Sequence, residues 1–321
     1  MTLAPGPVMV DLEGVQLSSK ESDILRHPLV GSVILFSRNF ESEQQLKTLI
    51  SNIRQIRNNL LISVDQEGGN VQRLQRRGFR SWPAARVYGD VYDLDPEVGL
   101  TLAARYGQKM GEELFAYDID INLAPIFDLH NDNEIIGKLD RAFHTNFEIN
   151  ANLAVAFSKG LQAAGISATA KHFPDHSTCE SDSHVTKSIS KYSLDELRRK
   201  HFWGFIQAIK EGAVKAVMPA HIIFTEVDPE NPVGFSRKWL QDILRRECQF
   251  EGAIISDCLS MKGAEVGDML ERAKRALSAG CDIVIMCNQA REVIQEVLEG
   301  LSSIVLDEAT QKRIAALARR H

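Results

Sequence analysis

Residues 171–184 read Lys-His-Phe-Pro-Asp-His-Ser-Thr-Cys-Glu-Ser-Asp-Ser-His, a short stretch holding one lysine, three histidines and three acids. Its apolar content stops at Phe173 and Pro174, so the polar run that follows has little to bury. Yet it carries the groups that transfer protons near neutral pH. General acid–base chemistry is therefore the first reading of this segment, and the question becomes which elements hold it in place.

Eight short runs rich in β-branched and other apolar residues recur along the chain: 7–13, 31–37, 60–67, 121–129, 166–174, 214–222, 252–259 and 281–287. Between them apolar residues fall at helical spacing, as in Leu46, Leu49, Ile50, Ile53 and Ile56, or Val98, Leu102, Tyr106, Met110 and Leu114. Ser193 and Glu196 have the spacing of a capping box. Strands that are apolar on nearly every residue and separated by helices predict a parallel sheet covered on its outer side, and eight such units predict a closed (β/α)8 TIM-type barrel. An open doubly wound sheet is the alternative, but neither GxGxxG nor GxxxxGK[ST] occurs. No repeat, low-complexity tract or linker marks a boundary, so residues 1–321 are expected to form one domain.

Barrel enzymes gather their reactive groups at the carboxyl ends of the strands. The predicted strands end in Asp11 and Glu13, Asp65 and Glu67, Asp128, Lys171 and His172, His221, and Asp257, with Asn288 after the last. For any one of these, Glu13 or Asp128 for instance, capping of the core explains the charge equally well. Strand starts read as mostly apolar or small, so the polarity is expected to be one-sided.

Composition narrows the function classes. The chain has 321 residues, is 44% apolar and 25% charged, and carries a formal net charge of −6, which suits a packed enzyme body and gives no reason to seek nucleic acid. Five cysteines without a CxxC pair fit reduced thiols rather than a disulfide framework. Cys179, in the polar segment, is expected to be exposed and open to oxidation. No signal peptide or run of about 20 apolar residues is present, so a soluble cytoplasmic protein with no membrane contact is expected.

Four blocks in order carry a resemblance: Asp-Gln-Glu-Gly-Gly-Asn-Val-Gln-Arg-Leu at 65–74, Asp-Arg-Ala-Phe at 140–143, the 171–184 segment with its ending Asp-Ser-His, and Ser-Asp-Cys-Leu-Ser-Met at 256–261. Together they resemble glycoside hydrolase family 3, in particular its single-domain bacterial β-N-acetylglucosaminidases of cell-wall recycling. The resemblance implies that Asp257 is the nucleophile of a two-step retaining displacement. It further implies that His184, oriented by Asp182, is the acid/base in place of a second carboxyl group. Asp65, Arg73, Arg141, Lys171 and His172 are implied to hold the sugar through charge-assisted hydrogen bonds, although an ordinary surface ion pair is the alternative for the two arginines. Gly68 and Gly69 would turn the chain beneath it. The implied substrate is a GlcNAc-containing saccharide or muropeptide, with no metal and no organic cofactor, and a monomer is expected.

The resemblance is imperfect at two positions. Family members usually read Lys-His-Phe-Pro-Gly-His-Gly, where this chain has Asp175 and Ser177. Asp175 is expected to stiffen or redirect the segment and to compete with Asp182 for a histidine. Three other readings stay open: a phosphorylase in which phosphate replaces water, a lyase using Lys171 as a Schiff-base nucleophile, and a sugar-binding protein whose altered segment has stopped catalysis.

Overall fold

Each of the eight apolar runs forms a parallel strand: β1 (Val8–Asp11), β2 (Val30–Leu35), β3 (Leu61–Val64), β4 (Ile121–Asn122), β5 (Ser167–Phe173), β6 (Ala216–Pro219), β7 (Ala253–Cys258) and β8 (Ile283–Met286). They close in sequence order, with β8 pairing β1 through Val284 opposite Val8 and Met286 opposite Val10, as a (β/α)8 TIM-type barrel. The computed structural model describes residues 5–75, 78–179 and 188–319. Alternation along the strands sorts the side chains. Met9, Ile34, Leu61, Ile121, Ala216, Met218, Ala253, Ile255, Ile283 and Ile285 meet inside the barrel. Val10, Val33, Ile62, Ala170, Val217, Ile254 and Val284, on the opposite parity, join the core shared with the surrounding helices.

The helices follow their apolar stripes, with one shift. Glu43–Ile56 buries Leu46, Leu49, Ile50 and Ile53 as its spacing predicts. In Pro96–Ala116 the buried face runs instead through Gly99, Ala103, Gly107, Met110, Gly111 and Leu114, leaving Val98 half exposed. The small residues take the inner face because the helix Phe147–Ala163 lies so close that a Cβ on Gly107 would stand 2.2 Å from the Phe157 carbonyl oxygen. The Ser193–Glu196 capping box forms as expected.

The expectation of one-sided polarity fails at the amino ends of the strands. Asp120, just before β4, and Asp282, just before β8, are both buried. Asp120 accepts from Ile62 N at 2.8 Å and from Arg54 at 2.7 Å; Asp282 accepts from Ile254 N and Arg245, both at 2.7 Å, and from Arg313 at 2.9 Å. These acids satisfy backbone donors at neighbouring strand starts, and each is neutralised by arginine. Arg313 belongs to the C-terminal helix Glu308–Ala315, which packs Ile314 and, beyond its end, Leu317 into the inner cluster, while Ser167 Oγ donates to the Leu317 carbonyl at 2.9 Å. The C-terminal segment thus stoppers the amino end of the barrel, and the opposite end is left for chemistry.

Candidate active site

The parity that fills the barrel also aims its polar strand ends. Asp65 continues the series Leu61 and Ser63 and Lys171 continues Ser167 and Thr169, while Asp257 lies near the end of β7, whose pairing with β8 shifts after Ile255. All three border a cavity of about 540 Å³, as do Arg73, Arg141 and His172. The structure therefore brings six of the eight predicted site residues to one place. The remaining two, Asp182 and His184, lie outside the described residues.

A dense ion-pair network holds this cavity. Arg141 grips Glu67 in a fork, Nε to Oε2 and Nη2 to Oε1, both at 2.8 Å. Lys171 Nζ bridges Asp65 Oδ1 and Glu67 Oε1, each at 2.8 Å, and Arg73 stands 3.6 Å from Asp65. Burial alone would push the Glu67 carboxyl up, but Arg141 and Lys171 outweigh it and hold Glu67 well below the carboxylate range. Burial would likewise lower Lys171, yet Asp65 and Glu67 keep its ammonium above the ordinary value. That direction is opposite to what a Schiff-base nucleophile needs, since the attacking amine must be neutral. Nor is Arg141 in a surface ion pair, for its side chain is almost wholly buried against Glu67. Beneath these groups Gly68 and Gly69 adopt φ of 99° and 56°, and a Cβ on Gly68 would stand 2.3 Å from the Pro83 carbonyl oxygen.

A second network positions the segment after β5. Buried Asp128 accepts from His172 Nδ1 at 2.7 Å and from the His172 and His176 backbone amides at 3.2 and 2.6 Å. Burial favours the protonated acid, but His172 and His176 overcome it and keep the Asp128 carboxyl below its usual range. Burial, helped by His172, pushes the His176 ring down to about 4, so His176 is neutral at pH 7.

Asp175 does not need the positive φ that a glycine would offer, because its φ of 177° is extended backbone. Its carboxylate accepts from Ser177 N at 2.7 Å and Leu129 N at 3.3 Å, and pairs with His201 Nδ1 at 2.7 Å. His201 lies on the helical run Leu197–His201, so Asp175 finds its histidine outside the 171–184 segment. His201→Ala leaves a buried acid without its partner and is expected to cost about 3 kcal/mol of stability, read as a lower urea midpoint at an unchanged slope; an unchanged midpoint would show that the pair holds nothing.

Other expectations divide. Cys179 is not exposed: it is 3% accessible, and burial pushes its thiol up to about 12, because the chain folds Phe173–Cys179 down onto the barrel rim. Asp11 is buried in ion pairs with Arg38 and Arg291, whereas Glu13 is mostly exposed, so the acids of β1 serve the scaffold. Sequence reading noted Glu67 and Asp128 as strand-end acids without placing them in the site. Glu67 sits two residues from Asp65, and its burial between two cations is visible only once strands β3 and β5 and residue 141 meet.

A closed barrel with ionised side chains converging on one cavity at the carboxyl ends of its strands is an enzyme scaffold, and its relatives define which. The Glycosyl hydrolase family 3 N terminal domain matches residues 8–320. A beta-hexosaminidase of Bordetella avium is 44% identical over 305 residues, covering 94% of this chain and 85% of that protein. The crystal structure of native NagZ from Neisseria gonorrhoeae superposes with a TM-score of 0.91 at 39% identity, covering 99% of this chain and 91% of the other. NagZ from the same organism in complex with N-trifluoroacetyl-D-glucosamine gives 0.92 at 39% identity over the same shares of each chain. The chain belongs to glycosyl hydrolase family 3 and is a glycosidase, NagZ-like within that family. Among the described residues, no helix is long and apolar enough to cross a membrane.

Proposed function

We propose that this chain is an exo-acting, retaining β-N-acetylglucosaminidase that removes terminal GlcNAc from GlcNAc-1,6-anhydroMurNAc muropeptides, acting in the cytoplasm as a single barrel domain. The observation that carries the reading is Asp257, set at the end of a rigid strand and opening on the cavity that the Asp65, Glu67, Lys171 and Arg141 network also lines. In the first step Asp257 attacks the anomeric carbon, the bond to the aglycone oxygen breaks, and His184 gives that oxygen its proton. In the second, His184 takes a proton from water, the water oxygen attacks the same carbon, and Asp257 is released. Asp182 orients the His184 ring; both roles are taken from the family resemblance. Asp65, Arg73, Arg141, Lys171 and His172 hold the sugar, and their ion pairs with one another and with Glu67 and Asp128 fix the side chains before it arrives, which limits the entropy lost on binding. The Neisseria gonorrhoeae NagZ complex with N-trifluoroacetyl-D-glucosamine supports a GlcNAc-type ring as the ligand.

The test is release of p-nitrophenol from its β-N-acetylglucosaminide, with and without phosphate, followed by incubation with GlcNAc-1,6-anhydroMurNAc. Free GlcNAc regardless of phosphate is the expected product. N-acetylglucosamine 1-phosphate formed only with phosphate would replace hydrolysis by phosphorolysis, and sugar binding without turnover would make the protein a binder.

A further inference from the structure

The cavity wall carries two thiols that glycoside hydrolysis does not use. Cys258 ends β7 directly after Asp257, Cys287 directly follows β8, and both border the cavity. The two strands are parallel neighbours with Cys258 opposite Ile285. In this register Cys287 lies two positions beyond the residue opposite Cys258, so the two cysteines sit diagonally across the strand pair on one cavity wall, each the other's side-chain partner, and Ser260 Oγ lies 3.0 Å from Cys258 Sγ. The Cys287 donor, joined by Ser260, outweighs burial and holds the Cys258 thiol below its ordinary value, while Cys287 is pushed well above. The pair is thus divided into a readier nucleophile and a partner that keeps its proton. Cys179, Cys248 and Cys281 are buried in the outer core, and burial pushes each of their thiols up.

We propose that Cys258 and Cys287 form a redox-active thiol pair on the wall of the sugar cavity, closed to a disulfide by hydrogen peroxide with loss of turnover and reopened by a dithiol. Cys258 Sγ attacks one peroxide oxygen, the O–O bond breaks, and the departing hydroxide leaves as water with the thiol proton, giving a sulfenic acid. Cys287 Sγ then attacks that sulfur. The S–S bond forms, the S–O bond breaks, and a second water leaves with the Cys287 proton, so two thiols are oxidised and one peroxide is reduced. An S–S bond of about 2.05 Å is far shorter than hydrogen-bonding range, so closure draws the strand ends together. Cys258 N donates to Asp257 Oδ1 at 2.7 Å, which ties the Asp257 carboxylate to that movement. The effect on turnover rests on the glycosidase reading, whereas the bond itself does not.

The experiment treats the full chain, Cys258→Ser and Cys287→Ser with hydrogen peroxide, then digests each and follows p-nitrophenol release against its own untreated activity. The unsubstituted chain is expected to yield a peptide linking 258 to 287, lighter by two hydrogens than the sum of its parts. Its activity is expected to fall on the order of a hundredfold, the loss that an ångström of misplacement produces, and to return with dithiothreitol. In both variants the dithiothreitol-reversible loss disappears. Absence of the linked peptide, an equal reversible loss in either variant, or a linked peptide with undiminished turnover would each overturn the proposal. A chain with no turnover before treatment overturns the glycosidase reading instead, and the linked peptide is still read by mass.

Discussion

Asp257→Ala is expected to lower turnover of the aryl β-N-acetylglucosaminide by roughly 10⁴-fold or more, the scale seen when a covalent nucleophile is removed, while N-acetylglucosamine still binds. The expectation rests on position. Asp257 lies at the carboxyl end of β7 and borders the cavity, and Cys258 N donates to its Oδ1 at 2.7 Å to fix the carboxylate. Asp65, Glu67, Lys171 and Arg141 are left in place by the change, so the loss should fall on kcat rather than on sugar affinity. Calorimetric titration with N-acetylglucosamine beside the rate assay separates the two. Full activity in Asp257→Ala would remove the nucleophile from the mechanism, and loss of binding together with turnover would make Asp257 a ligand for the sugar instead.

The second large effect is expected at a residue whose charge is spent on the scaffold. Glu67→Ala leaves Lys171 and Arg141 as neighbouring buried cations without the carboxylate that bridges them, and breaking a buried pair in this way costs about 3–5 kcal/mol. Urea unfolding should show it as a lower midpoint. The pH dependence has a definite sign. Glu67 is held below the carboxylate value it has in the unfolded chain, so its contribution is complete above about pH 5 and is lost as the pH falls through and below about pH 4. The wild-type chain should therefore lose more stability on acidification than Glu67→Ala does. Equal slopes on the acid side for the two proteins would show that Glu67 contributes nothing through its charge. Since Lys171 and Arg141 lose the acceptor that orients them, KM for the aryl glycoside should also rise.

Periodicity alone marked out the eight strands and their closure, because a strand buried on both sides is apolar throughout and a run of this kind is hard to mistake when helices separate each from the next. It misjudged the inner face of Pro96–Ala116. Hydrophobicity there points to Val98, whereas the closeness of the neighbouring helix favours glycine and alanine, and distance between helices is not written in either one.

The site divides in the same way. Asp65, Lys171, His172 and Asp257 were legible as strand-end groups, and Arg73 and Arg141 through the family motif, since the reactive groups of a barrel gather at the carboxyl ends of its strands whatever their neighbours are. Pairing was not legible. Glu67 meets Arg141 across 74 positions of chain, Asp175 takes its histidine from position 201, and the acids Asp120 and Asp282 clasp the far end of the barrel through Arg54, Arg245 and Arg313. A charge in a sequence declares only that it needs a partner. Which partner it obtains, and whether burial then raises or lowers its proton affinity, depends on distances that exist only after the barrel has closed.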